Sequence, residues 1–177
     1  MTRLTISPTH EVFNQPRPLV DYNLFTSNQG LGAALAFNAP TLDTASLNHL
    51  GVQLGSAAMQ TQARLANIHT PQLHSHDRFG HRIDQVEFHP SYHALMALAV
   101  GAGLHGAPWS EPPGGAAHVR RAAGFMLFTE LEPSTLCPIS MTYAVTPALR
   151  ANAAVYADWG PKLSSRSYDP APALWRH

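Results

Sequence analysis

The stretch "TLDTASLNHLGVQLGSAAMQTQARLAN", Thr41 to Asn67, decides the fold. Leu47, Leu50, Leu54, Ala58 and Leu65, with Thr61 between, recur at steps of three, four and seven, so they fall on one face of a helix. Asp43 or Thr44 supplies a side-chain oxygen for the first free N–H groups, and Pro71 stops anything that runs further. Gly51 and Gly55 interrupt this helix at a cost of up to ~1 kcal/mol each against alanine, a cost that a close helix crossing would justify.

Downstream of this helix the period changes. In "HDRFGHR", residues 76–82, Asp77 and Gly80 stand where a tight turn needs them, so the flanking segments can pair as a short β-hairpin. The run "PSYHALMALAVGAG" predicts a helix over 90–103. Proline is tolerated at its first position because the missing N–H has no partner there. Leu95, Met96, Leu98 and Ala99 make it apolar on several sides, which suits a central helix. A further helix is expected over 116–132, with Val119, Ala123 and Met126 on one face and Phe125 and Phe128 alongside, ended by Pro133. A last helix opens at Pro138 and is kinked or ended by Pro147. The segment after Trp159, "GPKLSSRSYDPAPALWRH", reads as a loop, and residues 1–27, with Pro8, Pro16 and Pro18 among scattered apolar side chains, read as an extended arm lying on a surface.

Composition bounds what such a helical chain can do. At 177 residues and 45% hydrophobic it is long enough for one domain with a buried core. Eleven basic residues balance eleven acidic ones, so no net field draws it to nucleic acid or an anionic membrane. Only 12% of residues are charged, under the ~25% typical of soluble domains; part of the surface is therefore expected to be covered by another subunit or domain. A single cysteine, Cys137, excludes an internal disulfide and fits a reducing, cytoplasmic compartment. The N-terminus lacks the apolar core of a signal peptide, and no apolar run approaches the ~20 residues of a membrane span.

Residue types that carry chemistry are few. Residues 69–93 hold six of the eleven histidines, and His74, His76 and His81 flank one turn, where they could supply three ligands to a metal. No H-E-x-x-H is present, and the bland alternative is a set of solvated or hydrogen-bonded loop histidines, with His89 and His93 acting as cap and packing residues at a helix start. Cys137, in "LCPIS", sits between apolar residues where a buried, inert thiol is the usual occupant. "GLGAALAF" from Gly30 has neither the G-x-G-x-x-G pattern nor a preceding strand. Arg120 and Arg121 read as a solvated or paired helix face.

Longer strings say more. "HEVFNQPRPLVDYNLFTSN" (10–28), "LGVQLGSAAMQTQARLANIHTPQL" (50–73), "HDRFGHRIDQVEFHPSYHALM" (76–96), "GLHGAPW" (103–109), "HVRRAAGFMLFTELEPSTLCPISMTYAVTPALR" (118–150) and the W-G-P-K-L-S-S-R-S-Y-D-P run (159–170) occur in this order. Together they resemble the AidB-type branch of the acyl-CoA dehydrogenases, flavoproteins linked to the adaptive response to DNA alkylation. The resemblance covers nearly the whole chain. In the family pattern the stretch matching 77–93 is not a metal site, and of the six histidines only His89 and His93 fall on fixed positions.

The resemblance implies a mainly α fold, the N-terminal helical domain of an acyl-CoA dehydrogenase. The arm would be 1–27, the helical domain 28–160, and 161–177 a linker toward a β-domain and a C-terminal helical bundle. FAD binds between those two further parts, and the catalytic carboxylate and the DNA-binding surface belong to the C-terminal one. Against this pattern the sequence stops at His177, just before the flavin motif, and reads as a truncated form with no catalytic and no cofactor-binding residue of its own. The complete protein would remove a proton and a hydride from an acyl thioester as a homotetramer. Here the expected contribution is tetramer contacts and the wall of the substrate cavity, with Met141, Thr142 and Val145 as wall residues and packing within the helical domain as the alternative. The rival role is an interaction module that docks on a full-length relative or on separate flavin domains.

Overall fold

The computed structural model describes residues 13–112 and 116–171. Among these the chain is mainly helical, with one two-stranded antiparallel sheet. Helix α1 (Leu24–Ser27) is a single turn and α2 (Gln29–Asn38) follows at once. Each begins at an asparagine: Asn23 Oδ1 accepts from the N–H groups of Phe25 and Thr26, and Asn28 Oδ1 accepts from Leu31. Such side chains satisfy donors that the first turn leaves free.

The single helix expected over 41–67 is two: α3 (Ala45–Leu54) and α4 (Ala57–Ile68). Ser56, in extended conformation, accepts from Met59 N–H and restarts the helix, so the phase of the apolar stripe shifts. Leu47, Leu50 and Leu54 are buried as expected. In α4 the inward residues are Met59, Ala63 and Ala66 instead, while Ala58 and Thr61 are exposed. Of the two candidate caps Asp43 acts, accepting from Ala45 N–H at 2.9 Å, and Thr44 makes no side-chain cap bond. Gly51 and Gly55 do serve a close approach, though not of two long helices. A Cβ at Gly51 would stand 2.6 Å from Phe25 N, and one at Gly55 would run into the carbonyl oxygen of Tyr22. The chain entering α1 therefore lies directly on α3, and Asp21 ties it there, donating its N–H to Gly55 O and accepting from Ala57 N–H.

The hairpin forms as expected from β1 (Gln72–His76) and β2 (Arg82–Glu87), antiparallel with Leu73 opposite Val86 and an irregularity between His74 and His76. Asp77 Oδ1 accepts from the N–H groups of Phe79 and His81, and Gly80 takes the positive φ of 87° that the turn requires. Both strands are solvent-exposed. Helix α5 (Pro90–Gly101) starts where Pro90 and the His89 cap place it, and Leu95 and Ala99 are fully buried in the core.

After the short α6 (Ala107–Ser110), α7 (Ala117–Leu131) runs through the centre and packs on α2, α3, α4 and α6. Its inward face is Ala117, Gly124, Leu127 and Phe128 with Ala123; Met126, expected on that face, is 57% exposed. Gly124 fixes this orientation, since a Cβ there would come within 2.8 Å of Leu104. Helix α8 (Leu136–Leu149) begins two residues before Pro138 and runs past Pro147 before ending at Leu149. Helix α9 (Ala153–Leu163) continues through Gly160 and Pro161, where a loop was expected. Gly160 is buried against the ring of Tyr156, and a Cβ there would stand 3.0 Å from the ring, so a larger residue would require the tyrosine to shift. Residues 165–170 lack regular structure, yet His105 bonds Ser165 O at 2.8 Å and His93 shares a 2.7 Å hydrogen bond with the Tyr168 hydroxyl, fastening this segment to the domain.

Candidate functional site

The residues expected to form a cavity wall lie on α8. Met141 is 67% exposed, Thr142 and Val145 are half-buried. Met141 and Val145, four residues apart, share a face. The Thr142 hydroxyl is turned to its own helix, donating to Pro138 O at 3.1 Å. None of the three lines either cavity among the described residues. Cys137, expected buried, is exposed: Leu136 and Ile139 take the core positions of this first turn and leave it facing outward.

The histidines of residues 69–93 are spread over separate partners. His74 faces Glu87 across the hairpin at 2.8 Å, His81 binds Asp77 within the turn at 2.9 Å, and His76 bonds Ser75. His89 accepts from Ser91 N–H and stacks on His69 with ring centroids 4.4 Å apart, while His93 packs against Phe88, Tyr92 and Tyr168. The cap and packing roles expected for His89 and His93 are those observed. Among the described residues no three His, Cys, Asp or Glu side chains stand close enough to hold one metal ion.

Two polar centres were not foreseen. The first is Glu132, buried between α7 and α8. Burial works against its charge, yet the N–H and hydroxyl of Thr135, each at 2.8 Å, and the N–H of Ser134 at 2.9 Å hold the carboxyl below its ordinary range. Asn67 adds a bond from α4. The same residues, with Phe88 and Tyr92, line a cavity of about 170 Å³; burial, and then the Glu132 charge, push the Tyr92 hydroxyl up. The sequence signal was present, an acidic side chain just before the serine and threonine that open a helix, but burial is a tertiary property.

The second centre is a cavity of about 450 Å³ between α3, the C-terminal end of α5 and α7. Its lining combines Leu47, Leu50, Leu98 and Leu104 with Arg120, Arg121 and Arg166. Arg120 is paired with Glu111, bonding both carboxylate oxygens at 3.0 and 3.1 Å. Arg121, read from sequence as part of a solvated or paired face, is half-buried: its Nε donates to Leu104 O at 2.8 Å, and its guanidinium lies 3.9 Å over the Tyr143 ring. Burial lowers its pKa, with the neighbouring Tyr143 opposing. Beside it His105 is buried, and its pKa is lowered by burial, against the bond to Ser165 and with help from the charge of Arg166. The imidazole is thus neutral, and its Nε2–H donates to Ser165 O.

Helices stacked in this order, with an exposed hairpin between α4 and α5, define the N-terminal helical domain of the acyl-CoA dehydrogenase fold. ACDH-11 of Caenorhabditis elegans, solved in complex with C11-CoA, superposes with a TM-score of 0.73 over 94% of this chain and 30% of its own, at 18% identity. The apo form of Bd2924 gives 0.79 over 88% of this chain and 32% of its own, at 28% identity. In sequence, the chain belongs to the adaptive response protein AidB N-terminal domain family, whose profile matches residues 14–170. It is 41% identical over 162 residues, 91% of its length, to the Escherichia coli (strain K12) protein named "Putative acyl-CoA dehydrogenase AidB". It spans 30% of that relative's length.

Proposed function

We propose that the chain serves as the N-terminal helical part of an AidB-like, FAD-dependent acyl-CoA dehydrogenase linked to the DNA alkylation response, a cytoplasmic homotetramer in its complete form. The observation that carries this reading is the match to the AidB N-terminal domain over 14–170, together with 41% identity to a relative of which the chain spans only 30%. The complete protein would carry out α,β-dehydrogenation of an acyl thioester. The described residues do not fit FAD by themselves: the larger cavity, about 450 Å³, lies at the lower end of the ~300–1,000 Å³ of small-molecule sites and is too small for a dinucleotide. No chemical step is therefore assigned to this chain.

Its own contribution is surface. Met141 and Val145 on α8, with Thr142 beside them, form the wall presented to the acyl substrate, and other exposed apolar residues, among them Phe37 and Met126, are covered by the further domains or by neighbouring subunits. Exposure of 87% for Phe37 and 67% for Met141, together with a charged fraction of only 12%, supports a surface that is covered in the complete protein. The same exposure favours the second reading, a non-catalytic module docking on a full-length relative or on separate flavin domains.

Co-expression of the chain with the remaining part of the Escherichia coli relative separates the two. The first reading expects a 1:1 complex with the visible flavin absorbance and thioester-dependent reduction of an electron acceptor. A fixed-ratio complex with the intact relative only, and no activity from the assembled parts, supports the module instead. Absence of any complex contradicts both.

A further inference from the structure

The cavity between α3, α5 and α7 is unbalanced in charge. Three arginines line it, and the one carboxylate among its lining residues, Glu111, already holds Arg120 with both oxygens. Among the described residues Arg121 and Arg166 make no ion pair. Arg121 donates to Leu104 O and its guanidinium lies against the Tyr143 and Phe125 rings, with Nη2 buried and without a hydrogen-bond partner. Arg166 approaches from the segment fastened by His105, close enough that a Cβ at Gly103 would stand 3.2 Å from its Nε. Of the two, Arg121 is half-buried, where a guanidinium without a counter-charge is costly and is normally paired, whereas Arg166 is exposed and adds its charge from the solvent side. Leu47, Leu50 and Leu98 line the same space, which therefore combines an apolar surface with two guanidinium charges, the group suited to the oxygens of a carboxylate or phosphate. Its volume of about 450 Å³ suits a small organic molecule.

We propose that this cavity binds a small organic anion, a carboxylate or phosphate monoester carrying an apolar body, with Arg121 and Arg166 holding the oxyanion and the leucines holding the body. The site needs no flavin, and Met141, Thr142 and Val145 are not among its lining residues. Gly103, with its positive φ of 74°, keeps the space beside Arg166 open, since a side chain there would be strained and would meet Ala107.

The test is isothermal titration of the 177-residue chain with benzoate, phenyl phosphate and, as the uncharged control, benzyl alcohol. Saturable binding of either anion and none of the alcohol is expected, and whichever anion binds identifies the head group. Arg166→Gln changes an exposed residue and should weaken binding about tenfold, the loss of one charge-assisted contact. Arg121→Lys keeps the charge but loses the fork and should weaken it as well. Far-UV circular dichroism matching the parent shows that each variant is folded. Equal binding of benzyl alcohol, unchanged affinity in folded Arg166→Gln, or no binding by either anion overturns the proposal; the last outcome leaves the two guanidinium groups to a carboxylate of another protein segment.

Discussion

Glu132 and His105 are polar groups whose burial the core tolerates for opposite reasons. Glu132 stays charged because four hydrogen bonds converge on it, and its pKa is depressed on folding. Its contribution to stability is therefore complete above the unfolded value of 4.5 and is lost as pH falls through the lower folded value. Glu132→Gln should lower stability by ~1–3 kcal/mol at neutral pH, and the difference from the parent should shrink below about pH 4.5 in urea titrations; a pH-independent difference would count against a charged Glu132. His105 is depressed too, but as a base, so it is neutral when folded. Stability from this site is complete above the unfolded value of 6.5 and is lost as pH falls from there toward the folded value. Proteolysis near Ser165 should accelerate over the same window, as protonation of His105 is opposed by burial and by Arg166; cleavage independent of pH would show that His105 does not anchor this segment.

At the scale of elements, glycines separate close contact from mere flexibility. Gly55→Ala would force the Tyr22 carbonyl and α1 away from α3, at an expected ~2–4 kcal/mol. Gly32, inside α2 with nothing near its absent side chain, should instead gain up to ~1 kcal/mol on replacement by alanine. Thermal unfolding of both variants checks the contrast, and equal shifts would contradict the packing of α1 on α3. The same elements explain what was legible beforehand. The hairpin and the start of α5 were readable because Asp77, Gly80 and Pro90 act on their own backbone neighbours. The break at Ser56 was hidden inside an unbroken apolar rhythm, since leucines continue on both sides of a cap that only Met59 N–H reveals. Helix α2 went unread because "GLGAALAF" has little contrast between its faces, and α9 because Gly160 and Pro161 look like a stop unless Tyr156 is known to lie over the glycine. Arg121 was equally opaque: the sequence shows a basic pair, and only the rotation of α7 brings one member onto Tyr143 and leaves the other with Glu111.

For the whole molecule, low charge and outward apolar side chains tell one story. Phe13, Leu19, Phe37, Phe79 and Met141 are each more than half exposed, and the two-stranded hairpin is exposed on both faces, an arrangement of marginal stability alone. The isolated chain should therefore bind a hydrophobic dye and self-associate, seen as a concentration-dependent mass in light scattering; a monomer that binds no dye would mean these side chains need no cover. No helix among the described residues is long and apolar enough to cross a membrane. The most direct measurement replaces the matching 30% of the Escherichia coli relative with this chain and follows flavin retention through purification. A soluble chimera that keeps its flavin and the parent's assembly size is the predicted result; a soluble chimera that loses both would contradict the assignment of this chain as the N-terminal part of such an enzyme.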